Sequence, residues 1–412
     1  MKVLLVGSGG REHALGWALA RSPRVKELIS LPGNPGLAEL GALIEGISPT
    51  DVGAIAAMAR LQGIDLVVVG PEAPLAAGLV DALTRLGIPV FGPSRAATKL
   101  EASKSFAKEV MSRAGVATAA SASFDEPEPA REYLGRRDGP FVVKADGLAA
   151  GKGVLVTESR EEAVGWVDRC LHGEFGAAGA SVLIEDYLDG PELSVFAVCT
   201  DRGAVPLEPS RDYKRLGDGD TGPNTGGMGS YSPVGDLPSD LVEVTMGEVI
   251  EPTLAQMEEQ GVPFRGFLYA GLVLTRDGPK VLEFNVRLGD PETQVVLPRL
   301  STDLVDLLEG ARPEWSDLAA VNVVLAAEGY PESPATGQVI QGVGSVPDDV
   351  LMFHAGTRSE GKRLLVDGGR VLSVVGTGSS IAGARTRAYQ AVEVVGWPGM
   401  QYRTDIAGAA QA

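Results

Sequence analysis

Short apolar runs closed by glycine or proline alternate with amphipathic stretches through the first hundred residues. Residues 2–6 read as a buried strand and 7–10 as a tight turn. Residues 11–20 then form a helix with Ala14, Leu15, Ala18 and Leu19 on one face. Residues 28–31, 66–69 and 89–91 are further short apolar runs, the last two preceded by helical patterns, which predicts an open parallel α/β sheet.

The pattern then changes. An amphipathic stretch at 101–113 leads into a region where two apolar strands flank a glycine-rich loop (141–156, FVVKADGLAAGKGVLV). A helix at 161–170 and a strand at 181–188 complete a small α+β unit able to act as a lid. Two strands at 266–275 and 280–287 are joined by the turn Arg276-Asp277-Gly278-Pro279. Period-two alternation puts Glu283, Asn285 and Arg287 on one face of the second strand, with Leu282, Phe284 and Val286 on the other. From 321 onward, short strands and a helix at 379–390 predict a β-rich unit. The expected domains are 1–118, 119–189, 190–318 and 319–412.

A length of 412 residues and 44% hydrophobic content suit about three domains with sizeable cores. The net charge of −18 opposes binding to nucleic acid or anionic membrane, so a phosphate ligand must be held by a local basic cluster, which favours small molecules. The two cysteines, Cys170 and Cys199, show no pairing or metal-binding spacing, and no stretch approaches the ~18 apolar residues of a membrane span. A cytoplasmic protein, monomeric or weakly dimeric, is expected.

Three segments carry candidate chemistry. In the glycine loop, Gly147, Gly151 and Gly153 let backbone N–H groups approach phosphate, and Lys144 and Lys152 supply point charges. The spacing is not that of a P-loop, since Gly153 stands where a hydroxyl residue belongs and a strand follows. In residues 211–231 (RDYKRLGDGDTGPNTGGMGSY), cations precede six glycines, a composition too glycine-rich for regular structure but suited to an anion cradle around Lys214 and Arg215. At the amino terminus, GSGGRE departs from a dinucleotide fingerprint because Glu12 takes the third glycine position. A helix N-terminus suited to one phosphate remains, where Arg11 and His13 either serve the site or lie on the surface. Oxygen ligands from Glu283 and Asn285 suit a hard cation, and Arg287 suits a phosphoryl group or a carboxylate. His354, within a strand, is expected to be packed.

Taken together, KADGLAAGKGV, the E-D-Y-L strand end, Glu192 and E-F-N-V-R resemble the ATP-grasp superfamily. GSGGREHAL, GPEAPL, DYKRLGDGDTGPNTGGMGSYSP, GFLYAGL and EFNVRLGDPETQ further resemble its glycinamide ribonucleotide synthetase family. The resemblance implies an α/β fold with an amino-terminal open parallel domain, a small α+β lid, an ATP-grasp core and a small β-rich carboxyl-terminal domain. It implies ATP-dependent joining of glycine to 5-phosphoribosylamine through glycyl phosphate. ATP contacts are implied at Lys104, Lys144, Gly147, Gly151, Lys152, Gly153, Glu185, Asp186, Tyr187, Leu188, Glu192 and Lys214. Mg2+ or Mn2+ falls on Glu283 and Asn285, and the catalytic set is Arg287, Lys214 and Asp212. Substrate contacts fall on Gly9, Gly10, Arg11, Pro71, Glu72, Gly226, Gly227, Met228 and Asp290. Other ATP-grasp ligases or carboxylases of purine metabolism share the nucleotide residues, and a non-catalytic nucleotide-binding protein is the remaining alternative. The carboxyl terminus departs from the family: YRTDIAGA replaces the frequent D-I-G-x-R-A continuation, although Arg403 is kept.

Overall fold

The computed structural model describes residues 1–149 and 153–411. The first sheet is wholly parallel, in the order Ala42–Leu43, Glu27–Pro32, Lys2–Gly7, Leu66–Val69, Val90–Phe91. The run Val3 to Val6 is apolar without a gap because both faces are covered: Leu4 and Val6 pack into one core, Val3 and Leu5 into another. Strand order reverses between Lys2–Gly7 and Leu66–Val69, which opens a crevice at their carboxyl ends. Helices Gly10–Ala20 and Glu72–Ala77 start there.

The lid is an antiparallel sheet in the order Ser121–Phe124, Val182–Asp186, Phe141–Ala145, Val154–Thr157. Its own core joins Leu134, Val143, Val167 and Ile184 beneath helices Pro127–Gly135 and Arg160–Leu171. The next sheet, Gly203–Pro206, Glu192–Thr200, Gly266–Thr275, Gly278–Asn285, contains the expected hairpin. A bulge changes its alternation. Gly271 pairs with Glu283 but Leu272 with Val281, so Leu282 is half-buried and does not share the buried face of Phe284 and Val286.

The amphipathic stretch at 101–113 spans two helices: Ser103 ends Lys99–Ala102 and caps Lys104–Ala114 by accepting the Phe106 N–H at 3.2 Å. One further expectation is corrected. Residues 211–231 are partly regular: Arg215–Gly217 pairs with Thr221–Asn224, and Arg211–Asp212 and Gly229–Ser232 join a sheet with Ala319–Ala326, Arg370–Gly378 and Val350–His354. Partners from the last quarter of the chain supply the ladder that glycine composition alone does not favour. Helix Ile381–Val392 covers that sheet, and a smaller one forms from Val339–Ile340, Arg363–Val366 and Thr357–Glu360. No described helix is long and apolar enough to cross a membrane, and both cysteines are free and buried.

His13 neither reaches the surface nor offers a cation. It is 7% exposed, and its Nδ1 accepts the backbone N–H of His354 at 2.7 Å, tying the first helix to the strand Val350–His354. Asn34 completes the tie by donating to the carbonyls of Ser8 and His354 at 2.9 and 2.8 Å. His354 is packed, as expected. Burial, then the neighbouring His354, lowers His13 to about 3, and burial lowers His354 to about 4. The folded histidines are therefore neutral, and below the ordinary histidine pKa the unfolded chain binds more protons. Their contribution to stability is complete above that pKa and is lost progressively as pH falls from it toward the folded values of about 3 and 4. In urea titrations, the natural protein should lose about 2 kcal/mol more than His13→Gln between pH 7 and pH 5. Equal losses would show that His13 is already charged in the fold.

Candidate active site

The strand Phe141–Ala145 delivers Lys144 into the space between lid and core. Lys144 is 4% exposed, with its Nζ 2.8 Å from Glu185 Oε2 and 3.4 Å from the Leu282 carbonyl. Lys108 reaches the same Glu185 carboxylate at 3.3 Å. Lys104, in the first turn of its helix, donates to the carbonyls of Ala145, Asp146 and Gly147 at 2.8, 3.4 and 3.1 Å. It thus pins the entry to the glycine loop, and burial lowers its pKa. Gly147 and Gly153 also serve close packing: a Cβ would lie 2.6 Å from Ala178 Cα at the first and 2.7 Å from Ala149 Cβ at the second. Gly151 and Lys152 lie outside the described residues.

Glu185 and the residues after it leave the lid toward the core. The Glu185 carboxylate is turned inward to the lysines, while Asp186 pairs with Arg137 and Tyr187 is exposed. A cavity of about 320 Å³, lined by Arg137, Pro140, Ile184, Glu185, Asp186 and Tyr187, lies at this passage.

On the core side, Lys214 follows the strand Arg211–Asp212 and meets Glu192 Oε2 at 2.5 Å. Burial alone would lower Lys214, yet Glu192 and Asp212 raise it well above the ordinary lysine value. Asp212 is pushed up to about 7 by burial, opposed by Lys214 and reinforced by Glu292, Glu192 and Glu283. At Glu283, burial is outweighed by Lys214, Lys144, Lys104 and Arg287, which hold the carboxyl below its usual range. Glu283 pairs across the ladder with Gly271, and Asn285 with Tyr269. Among the described residues, no group of three or more His, Cys, Asp or Glu could hold a metal alone. One ionised carboxylate and one amide oxygen therefore fit a hard cation that takes its remaining ligands from phosphate and water.

Arg287 joins this region to the amino-terminal crevice. Its Nε lies 3.3 Å from Glu72 and its Nη2 2.8 Å from Glu101, whose side chain is 7% exposed. At the first helix N-terminus, Glu12 accepts the Gly9 N–H at 2.7 Å and Asp290 accepts the Arg11 N–H at 3.3 Å. A Cβ at Gly9 would come within 2.8 Å of Glu12 Oε2, so this glycine makes room for a carboxylate. Gly10 is buried, and a Cβ there would meet Gln294 Nε2 at 2.6 Å. The Arg11 side chain is spent on Glu12 at 2.6 Å and the Leu288 carbonyl at 3.1 Å. Arg11 is accordingly an internal tie, not an open cation, while Pro71 and Glu72 begin the helix at the other side of the crevice.

Opposite lies the glycine pair of the 211–231 segment. Gly226 is exposed, its N–H donating to Tyr330 Oη at 2.9 Å, while Arg370 Nη1 donates to its carbonyl and to that of Asp290, the latter at 2.6 Å. Gly227 has φ +107°, and a Cβ would meet Pro291 Cδ at 2.3 Å. Met228 is corrected to a core residue: it is fully buried, and its backbone pairs with Tyr213 and Val324. The Asp290 carboxylate is held by Gln294 at 2.8 Å and by Arg370 at 3.4 Å. Lys108, Glu101, Tyr330 and Arg370 were not anticipated, because their partners are distant in sequence and no local motif marks them.

Known families divide the chain in the same order as its sheets. Residues 1–101 match the phosphoribosylglycinamide synthetase N domain, 102–293 its ATP-grasp (A) domain and 320–409 its C domain. The chain belongs to the phosphoribosylglycinamide synthetase family. A curated family relative, the phosphoribosylamine–glycine ligase of Brucella melitensis, is 49% identical over 98% of this chain and 97% of its own. The crystal structure of the Thermotoga maritima phosphoribosylamine–glycine ligase superposes with a TM-score of 0.87 at 39% identity, covering 99% of this chain and 100% of that one. The biotin carboxylase domain of Hydrogenobacter thermophilus 2-oxoglutarate carboxylase, with a TM-score of 0.75 at 18% identity over 97% of this chain and 91% of its own, shares the fold. As a synthetase-family ATP-grasp protein, the chain uses ATP.

Glu185 pairs with the buried Lys144 of the lid and with the partly buried Lys108 of the helix Lys104–Ala114. Glu185→Gln should destabilise the lid by about 3 kcal/mol, since it leaves buried charge uncompensated. Hydrogen exchange of the Phe141–Ala145 amides measures this; unchanged protection would mean that water or another group already balances the lysines.

Proposed function

We propose that the chain ligates glycine to 5-phosphoribosylamine, giving glycinamide ribonucleotide, ADP and phosphate, through glycyl phosphate. The observation that carries this reading is the convergence of Lys214, Asp212, Glu283 and Arg287 between the nucleotide side of the site and the amino-terminal crevice. Family membership and full-length similarity to phosphoribosylamine–glycine ligases support the substrate assignment.

In this reading a glycine carboxylate oxygen attacks the γ-phosphorus of ATP and ADP leaves. The amine nitrogen of phosphoribosylamine then attacks the acyl carbon, phosphate leaves and the amine gives up a proton. Lys144 and Lys214 bind phosphate oxygens, and Arg287, held by Glu72 and Glu101, faces the carboxyl undergoing transfer. Asp212, poised near neutrality, takes the amine proton. Glu283 and Asn285 hold Mg2+ or Mn2+, which when bound neutralises charge on the phosphates. The crevice bounded by Gly9, Gly10, Pro71, Glu72, Gly226 and Gly227 receives phosphoribosylamine. Its carboxylates suit the amine and ribose hydroxyls. Positioning and exclusion of water do most of the work, so no side-chain nucleophile is needed. The acidic net charge and two free, buried cysteines suit a cytoplasmic enzyme.

ADP release in the presence of magnesium should require glycine and phosphoribosylamine together. Arg287→Lys, which keeps the charge but loses the planar fork, should lower kcat by about 10²-fold. Equal turnover with bicarbonate or formate in place of glycine would overturn the substrate assignment while leaving the ATP site intact.

A further inference from the structure

The carboxyl-terminal segment 403–407 grips the residues on both sides of Lys214. Arg403 is 1% exposed, although arginine is rarely fully buried. Its Nε and Nη2 donate to the two oxygens of Asp405 at 2.7 and 2.6 Å, a two-point pair that fixes the plane of the guanidinium. The remaining nitrogen, Nη1, donates to Asp220 Oδ1 at 2.7 Å and to the Arg215 carbonyl at 3.2 Å. The guanidinium also lies over the Tyr213 ring, 4.8 Å from its centre. Tyr213 and Arg215 are the immediate neighbours of Lys214.

The grip extends along the hairpin that follows. Thr404 donates its N–H to Asp218 at 2.8 Å and its hydroxyl to the same carboxylate, while Asp405 accepts the Gly219 N–H at 2.9 Å. Ala407 donates its N–H to Tyr213 Oη at 2.9 Å. The segment is itself anchored on helix Ile381–Val392, where Tyr389 Oη donates to the Arg403 carbonyl at 2.8 Å and Arg385 Nε to the Ile406 carbonyl at 2.9 Å. Burial would raise Asp405, but Arg403 and the Gly219 N–H hold it at about 2. Asp220 adopts φ 55°, a left-handed turn that brings its carboxylate to Arg403.

We propose that segment 403–407 is a clamp that sets the position of Lys214, with Arg403 as a positioning residue for the ligation reaction. Arg403 touches neither Lys214 Nζ nor the crevice. It holds the backbone from which Lys214 reaches Glu192, and orders a glycine-rich hairpin that composition alone leaves without a fixed shape. This rests on the reading of Lys214 as an ATP-phosphate contact.

The test uses the full chain, with Arg403→Met to remove the clamp from the buried side and Asp218→Ala to loosen it from the exposed side. Trypsin cleavage after Lys214 or Arg215 should become at least tenfold faster in Arg403→Met and several-fold faster in Asp218→Ala. In both variants kcat/KM for ATP should fall by about the same order. The decisive readout is coupling: once Lys214→Ala has removed the side chain being positioned, adding Arg403→Met should cost no further activity. Full additivity, or unchanged cleavage in both single variants, would overturn the clamp. If Lys214→Ala alone kept full activity, the catalytic reading of Lys214 would fall, and the cleavage rates would still report whether the segment holds the hairpin. Asp218 lies on the surface, so its variant keeps the proposal falsifiable should Arg403→Met fail to fold.

Discussion

One guanidinium ties together the parts of the site that are farthest apart in the chain. Arg287 stands at the end of the core hairpin, yet its partners are Glu72 at the start of an amino-terminal helix and Glu101 before the lid. A partly buried arginine between two carboxylates is costly to remove, most of all for Glu101, whose side chain is 7% exposed and would be left charged in a poorly solvated place. Burial raises Glu101, and Arg287 opposes that rise. The crevice of the parallel sheet and the polar face of the core hairpin therefore keep a common frame, with Arg287 where the two meet.

Around that frame, basic groups converge from separate elements. Lys144 comes from a lid strand, Lys104 from the helix that leads into the lid, and Lys214 from the segment beside the core. Each already has an oxygen partner: Glu185 for Lys144, the loop-entry carbonyls for Lys104 and Glu192 for Lys214. Such pairing lets a chain of net charge −18 hold a compact basic site without ligand and fixes the side chains before a phosphate arrives. Catalysis by position then follows from the fold: Lys214 favours the charged form of both Asp212 and Glu283, but burial prevails at Asp212 and the surrounding cations prevail at Glu283.

Much of this was legible in the chain itself. Period-two alternation placed Glu283, Asn285 and Arg287 together, and glycine spacing marked the loop after Lys144, because these signals are local. The bulge at Leu282 was not legible, since it depends on register against Gly271. Nor were Glu101, Lys108, Tyr330 and Arg370, whose significance lies in contacts across long stretches of sequence. Glu12 shows the boundary between the two kinds of signal. Its place in the glycine pattern argued against a dinucleotide, but only the fold shows its carboxylate seated at the helix N-terminus. His13 and Met228 looked available for chemistry in sequence and proved to be packing residues once their neighbours were in place.

In the proposed reaction this arrangement activates a carboxylate by phosphoryl transfer before the amine attacks. Glycine labelled with 18O in its carboxyl group tests it most directly, with the released phosphate read by mass spectrometry. Activation through glycyl phosphate predicts one labelled oxygen in each phosphate formed. Phosphate that carries only oxygen from ATP and solvent, at full yield of ligated product, would contradict it.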